Sequence, residues 1–145
     1  MMRKRIFQTV LIILLLVAFT SLYQNLTYEE IHLNEGQLKA QIATTDYQRK
    51  KGLSNRDKLA KEEGMIFIFE EEKFHSIWMK DMNFPIDIIW IDSEKEIVDI
   101  KKNASPDTYP ESFRPNEPAK YVLEVKAGYI KSNNLQIGDT LNFGL

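Results

Sequence analysis

Apolar and polar positions divide the chain into a hydrophobic start, a polar stretch and a body of short strands. Val10 to Phe19 is an unbroken apolar run, preceded by Arg3, Lys4 and Arg5, and no charged residue occurs from Ile6 to Tyr28. A helix of about 20 apolar residues spans the roughly 30 Å hydrocarbon layer, so residues 1–25 read as a signal anchor or a signal peptide. Residues 26–36 read as a polar tether and 37–145 as the folded domain. Leu38, Ala40, Ile42 and Thr44 alternate with Lys39, Gln41 and Ala43, the period of a half-buried strand. Thr45 or Asp46 can cap a short helix, with Gln48 completing a capping box and Gly52 ending the helix in a left-handed conformation. Ser54 to Glu63 reads as a turn with a second short helical piece. Met65 to Phe69 is apolar on both faces and predicts a buried strand, with Glu70 to Lys73 as a solvated turn after it.

Further strands are expected at Phe74–Lys80, Ile86–Asp92 and Glu96–Lys101, the last two joined by a hairpin turn at Asp92–Lys95. Pro85 suits the first residue of a strand, where its missing donor does little harm. Asn103 to Pro118 holds four of the five prolines with Tyr109 and Phe113. A loop of that length is usually functional or disordered, and its aromatic residues favour docking. Tyr121–Val125 predicts a strand, Ala127–Asn133 a helical turn and Thr140–Phe143 a closing strand. The fold class is therefore mostly β with short helices (α+β), a small rolled sheet or barrel-like domain preceded by one N-terminal hydrophobic helix.

Charge and composition narrow the function classes. The net charge is −2; without Arg3, Lys4 and Arg5 the remainder is more acidic still, which gives no support for nucleic-acid binding. The absence of cysteine excludes zinc–thiolate sites and cysteine nucleophiles. The basic start favours a cytoplasmic N-terminus with the domain outside the cytoplasm. The nearest cleavage pattern, Ala18-Phe19-Thr20, is poor, which favours retention as a single-pass membrane protein over secretion after cleavage.

An ordered set of elements resembles a known family. They are Gly52-Leu53 with Arg56, Gly64 to Phe69, Trp78-Met79-Lys80, Pro85 to Ile89 with Ile91-Asp92, Tyr109, Tyr121 to Glu124, Gly128, and Ile137-Gly138-Asp139. Together they are similar to domain of unknown function 192, also called uncharacterised protein family 0127. The resemblance runs from about Leu38 to Phe143. It implies a small β-rich domain, often behind a signal or anchor segment. The chain departs from the family where Ser54 replaces a frequent Met, Asp81-Met82 a frequent Asn-Thr, and Lys95 a nearby Gly. No activity is established for the family, so no catalytic residue carries over.

Candidate chemistry comes from polar residues set among apolar ones. Lys80 and Asp87 lie between two strands apolar on both faces, and an unpaired buried charge costs several kcal/mol or loses its ionisation. They are expected to pair, to bond backbone, or to open on a pocket. Glu124 is either a half-exposed strand residue or a polar group in a cleft beneath the proline-rich loop. Arg49 and Arg56 flank Gly52 and can hold an anion or brace loops. Trp78 can stack on a ligand or fill the core, and Tyr109 joins the candidate ligand-binding set. Histidines at ligand spacing are absent, and no metal or cofactor is expected. Three functions follow. The first is a membrane-tethered extracytoplasmic binding or accessory module for a small-molecule or envelope ligand, seated between the long loop and Trp78, Lys80 and Glu124. The second is a small cell-envelope hydrolase using Lys80 with Asp87 or Glu124. The third is a protein-interaction module using an exposed strand edge or the 103–118 loop.

Overall fold

The computed structural model describes residues 8–16, 27–33 and 36–145. Of the expected anchor, residues 8–16 are helical (α1), with Val10 to Leu16 exposed; the rest of that segment lies outside the described residues. Among the described residues, no helix is long and apolar enough to cross a membrane.

Strand β1, Tyr28–Leu33, opens the domain. This corrects the tether: Ile31 is fully buried and the strand pairs antiparallel with β2, Gly36–Ala43. The segment looked like a linker because Ile31 is its one deeply buried anchor among exposed and half-buried neighbours. Helix α2, Asp46–Lys51, follows. The Ser54–Glu63 stretch then runs as turns and irregular chain without the expected helical piece. Leu53, just before it, and Leu59, within it, are instead buried against the sheet as single anchors.

Strand β3, Glu63–Lys73, pairs parallel with β2 and antiparallel with β8, Ala119–Lys126. It includes Glu70 to Lys73, expected as a turn. These charged residues continue the strand because its exposed end has passed beyond the core, and the register shifts between Ile68 and Lys73. The expected Phe74–Lys80 strand contracts to β4, Ile77–Trp78. β5, Ile86–Ile91, is buried at all six positions. It lies between β8 and β6, Ile97–Ala104, so both its edges are bonded and both its faces covered. The β5–β6 hairpin turns at Asp92–Lys95, where Lys95 takes a φ of 68°. Its ammonium reaches the Phe143 carbonyl and lies 4.6 Å from that ring's centroid, contacts that hold a non-glycine residue in this conformation.

The main sheet has the order β1-β2-β3-β8-β5-β6. The C-terminal segment then bridges its two edges, His32 pairing with Asn142 and Glu96 with Thr140, so the sheet rolls into a closed, barrel-like form. The proline-rich segment docks. Its β7, Ser112–Phe113, pairs with β4, and Asn116 donates to Asp99 through both backbone and side-chain nitrogens. One core packs inside the roll from Ile31, Leu38, Ile66, Ile89, Leu123 and α3, Tyr129–Ser132. A second packs on the other face from Leu53, Phe67, Ile77, Met79, Ile88 and Trp90.

Candidate ligand cleft at Glu124

The candidate site is built around the end of α2. Thr45 accepts from the Gln48 amide at 3.2 Å while the Gln48 side chain accepts from the Thr45 amide at 3.0 Å, a reciprocal capping box. Gly52 ends the helix with φ 48° and ψ −134°, a positive φ as expected but outside the left-handed helical region. A Cβ there would lie 3.4 Å from the Phe67 ring and 3.8 Å from Glu124 Oε2. Glycine therefore serves both the backbone turn and the close approach of this corner to the sheet. Helix α2 buries none of its residues, which fits a wall standing beside the second core rather than a part of it. The following loop is strapped to the β4–β5 connection. Ser54 Oγ donates to the Lys80 carbonyl at 2.8 Å, the Asn55 amide to the Asp81 carbonyl at 2.8 Å, and Asn83 Nδ2 to the Arg56 carbonyl at 2.9 Å.

Between these elements opens a cleft of about 280 Å³. Phe67, Phe69, Ile77 and Trp78 supply its apolar walls, α2 its basic rim, and Glu124 its floor. Glu124 is 5% exposed. Its neighbours across the sheet are Met65 and Ile88, and among the described residues its Oε2 has no hydrogen-bond partner. Burial raises its pKa to about 8, against the opposing pull of the Arg56 guanidinium. At neutral pH the carboxyl is therefore mostly protonated, and its O–H is a donor. Arg56 itself donates to the buried Gln41 side chain.

The other predicted residues separate. Arg49 lines the same cleft but is braced: it pairs with Asp46 at 2.5 Å, donates to the Thr44 carbonyl and to the Ile68 carbonyl at 2.9 Å, and lies 5.3 Å from the Phe69 ring. Trp78, 45% exposed, forms the outer wall and meets Tyr109 edge-on at 6.4 Å. Lys80 is exposed rather than buried, with Nζ 5.7 Å from the Trp78 ring. The premise of a buried lysine fails because only Ile77 and Trp78 of that segment are strand, leaving Lys80 in the turn beyond. Lys80 does not line the Glu124 cleft but an adjoining depression, with Tyr47 and Asp81, that shares Lys50, Lys51, Ser54 and Trp78 with it. Asp87 is buried on the opposite face of the sheet from Glu124. Its oxygens accept from the Asn103 amide at 2.8 Å and the Ile130 amide at 3.0 Å, so it ties β6 and α3 to β5. Lys80 and Asp87 are thus not brought together. The wall facing Glu124 is α2, not the proline-rich loop, which reaches the site through Tyr109 against Trp78.

Sequence reasoning missed Phe67, Phe69, Lys50 and Lys51. The phenylalanines read as core because nothing local shows where a buried strand borders an open cleft. The adjacency of Lys50-Lys51 to Gly52 was the available signal. Among the described residues no group of three His, Asp or Glu side chains is placed to hold a metal ion.

A rolled mixed sheet with a helix-walled cleft at a central strand places the chain among small α+β domains of barrel-like form. Residues 29–143 match the DUF192 profile, described as Uncharacterized ACR, and the chain belongs to that family. It is 33% identical over 107 residues to a UPF0127 protein of Thermococcus sibiricus, covering 72% of this chain and 66% of that protein. It is 33% identical over 81 residues to one of Thermococcus gammatolerans, covering 54% of this chain and 50% of that protein. The chain thus spans half to two thirds of the length of these curated relatives. Two crystal structures share the fold. One, from Sinorhizobium meliloti 1021 and provisionally described as a transcription regulator, superposes with a TM-score of 0.76 at 31% identity over 82% of this chain and 95% of that one. The other, of unknown function from Novosphingobium aromaticivorans, gives 0.72 at 26% identity over 81% and 84%.

Proposed function

We propose that this protein is a membrane-tethered binding or accessory module, with its domain outside the cytoplasm and a small organic ligand held in the Glu124 cleft. The observation that carries the ligand reading is a buried carboxyl oxygen, without a partner among the described residues, at the floor of an open, aromatic-walled cleft. Leaving such a group unpaired costs about 1–3 kcal/mol, and a bound ligand would remove that cost. Pockets with apolar walls and a few convergent polar groups are the usual form of small-molecule sites. The hydrolase alternative has less support, since Lys80 is exposed and outside the cleft of Glu124. The tether reading rests on the basic cluster and the apolar run that follows it.

Extraction of the full chain, purified from its host in mild detergent, tests the ligand reading. The wild type should release a small organic molecule in near-stoichiometric amount. A Ser76→Trp variant, which fills the cleft from an exposed wall, should release none. Equal recovery from both, or none from either, would refute a cleft ligand. Mass spectrometry of the membrane fraction should find the intact N-terminus; a protein beginning near Leu22 in the medium would establish secretion instead.

A further inference from the structure

Resting on the ligand reading above, the chemistry of the cleft also specifies what kind of molecule it takes. We propose that it selects a slim amphipathic acid, with an uncharged carbonyl-type acceptor at its inner end, a flat apolar middle and a carboxylate at its outer end.

Three observations assign the three parts. At the floor, Glu124 Oε2 is buried and unpartnered among the described residues. The strands on either side present Met65 and Ile88 to it, so no neighbouring strand supplies a countercharge. The charged groups around it are Arg56, whose guanidinium acts on it electrostatically, and Asp46, Arg49, Lys50 and Lys51, which line the same cleft. In a site of this polarity the carboxyl keeps its proton at neutral pH, and a protonated carboxyl offers an O–H to an acceptor. An apolar tip would leave that group unpaired. An ammonium would have to enter past the basic rim and ionise Glu124 in an apolar setting.

In the middle, Phe67 and Phe69 on β3 and Trp78 on β4 line the opening, which suits a planar ring. A volume near the lower end of ordinary small-molecule sites, about 300 Å³, admits one ring with short substituents. At the rim, Arg49 is neutralised by Asp46 at 2.5 Å. Lys50 and Lys51 remain exposed beside it, and two cations at the mouth favour an anionic outer end.

The test uses the full chain in mild detergent, isothermal calorimetry and four matched probes: 4-acetylbenzoate, 4-ethylbenzoate without the acceptor, 4-acetylbenzamide without the charge, and 4-ethylbenzylamine with the opposite charge. 4-Acetylbenzoate should bind about tenfold more tightly than 4-ethylbenzoate, since losing one hydrogen bond in a buried site is worth roughly that factor. Glu124→Gln, whose amide still donates, should keep that preference; Glu124→Leu should abolish it. The preference should fall about tenfold between pH 7 and pH 9 in the wild type, as Glu124 ionises, and stay level in Glu124→Gln. The Lys50→Gln/Lys51→Gln double variant should bind 4-acetylbenzoate and 4-acetylbenzamide equally. Tightest binding by 4-ethylbenzylamine, or an acceptor preference that survives in Glu124→Leu, would overturn the inference. An amine that binds wild type but not Ser76→Trp removes this inference and leaves the ligand reading standing. If Ser76→Trp binds every probe as wild type does, the cleft itself is the wrong site, and both fall.

Discussion

Glu124→Gln should change how stability depends on pH. In the unfolded chain Glu124 titrates near 4.5, and in the folded protein near 8. Between those values the folded state holds a proton that the unfolded state has released. Stability therefore falls as pH rises through this window, at about 1.4 kcal/mol per pH unit, and levels off above it. From about pH 5 to about pH 8 the loss from this one residue comes to roughly 3–4 kcal/mol. Because Glu124 is almost fully buried, solvent screening does little to reduce it. Glutamine occupies nearly the same space and cannot ionise, so the variant should lack this component and exceed the wild type in stability most at the alkaline end. Urea unfolding of the full chain at about pH 5, 7 and 8, followed by tryptophan fluorescence, measures both curves. All other titrating groups are common to the two proteins, so the difference between the curves isolates Glu124. A difference that changes by less than about 1 kcal/mol across the range would refute the buried, protonated carboxyl.

Asp87→Ala removes the acceptor for two backbone amides in a buried setting and should destabilise the domain by roughly 3–5 kcal/mol in the same urea assay. Lys80→Ala should change stability by less than about 0.5 kcal/mol, as for other exposed side chains, and leave the affinity for 4-acetylbenzoate unaltered in calorimetry. Thr45→Ala should cost about 1 kcal/mol through loss of the cap. It should also speed amide hydrogen exchange across α2 relative to β5.

The fold was legible where pattern and burial coincide. Ile86 to Ile91 is apolar at nearly every position because β5 has a bonded strand on each side and a packed core on each face. Thr45 and Gln48 announced their helix because a capping box is a local device. Segments whose state depends on remote partners were less legible. Tyr28–Leu33 became a strand through β2 and Asn142, neither of which leaves a trace in its own alternation. Phe74–Lys80 carries strand-forming residues, but among the described residues it has only the two-residue β7 to pair with, so most of it stays irregular. The site divides the same way. Glu124 stood out as a polar residue in an apolar strand, and the structure places it in a cleft. Lys80 and Asp87 stood out for the same reason but went elsewhere, Asp87 to backbone amides and Lys80 to solvent. A sequence identifies residues that need a partner; only the packing of α2 and β4 on the sheet decides who provides it.

The two bridges that roll the sheet shut also set an order of events during synthesis. His32 waits for Asn142, a partner roughly a hundred positions further along the chain, and contacts of such separation form late. While the ribosome is still making the middle strands, β1 and β2 have a neighbour in β3, but the roll has no seam. Until β8 emerges, β1-β2-β3 and β5-β6 are two separate pieces, because β8 is the strand that joins them; the single sheet that forms then closes when residues 138–142 follow. A chain stopped after β8 but before that seam would leave two bare strand edges, and one stopped between β6 and β8 would leave four, the form in which β proteins are most exposed to aggregation and proteolysis.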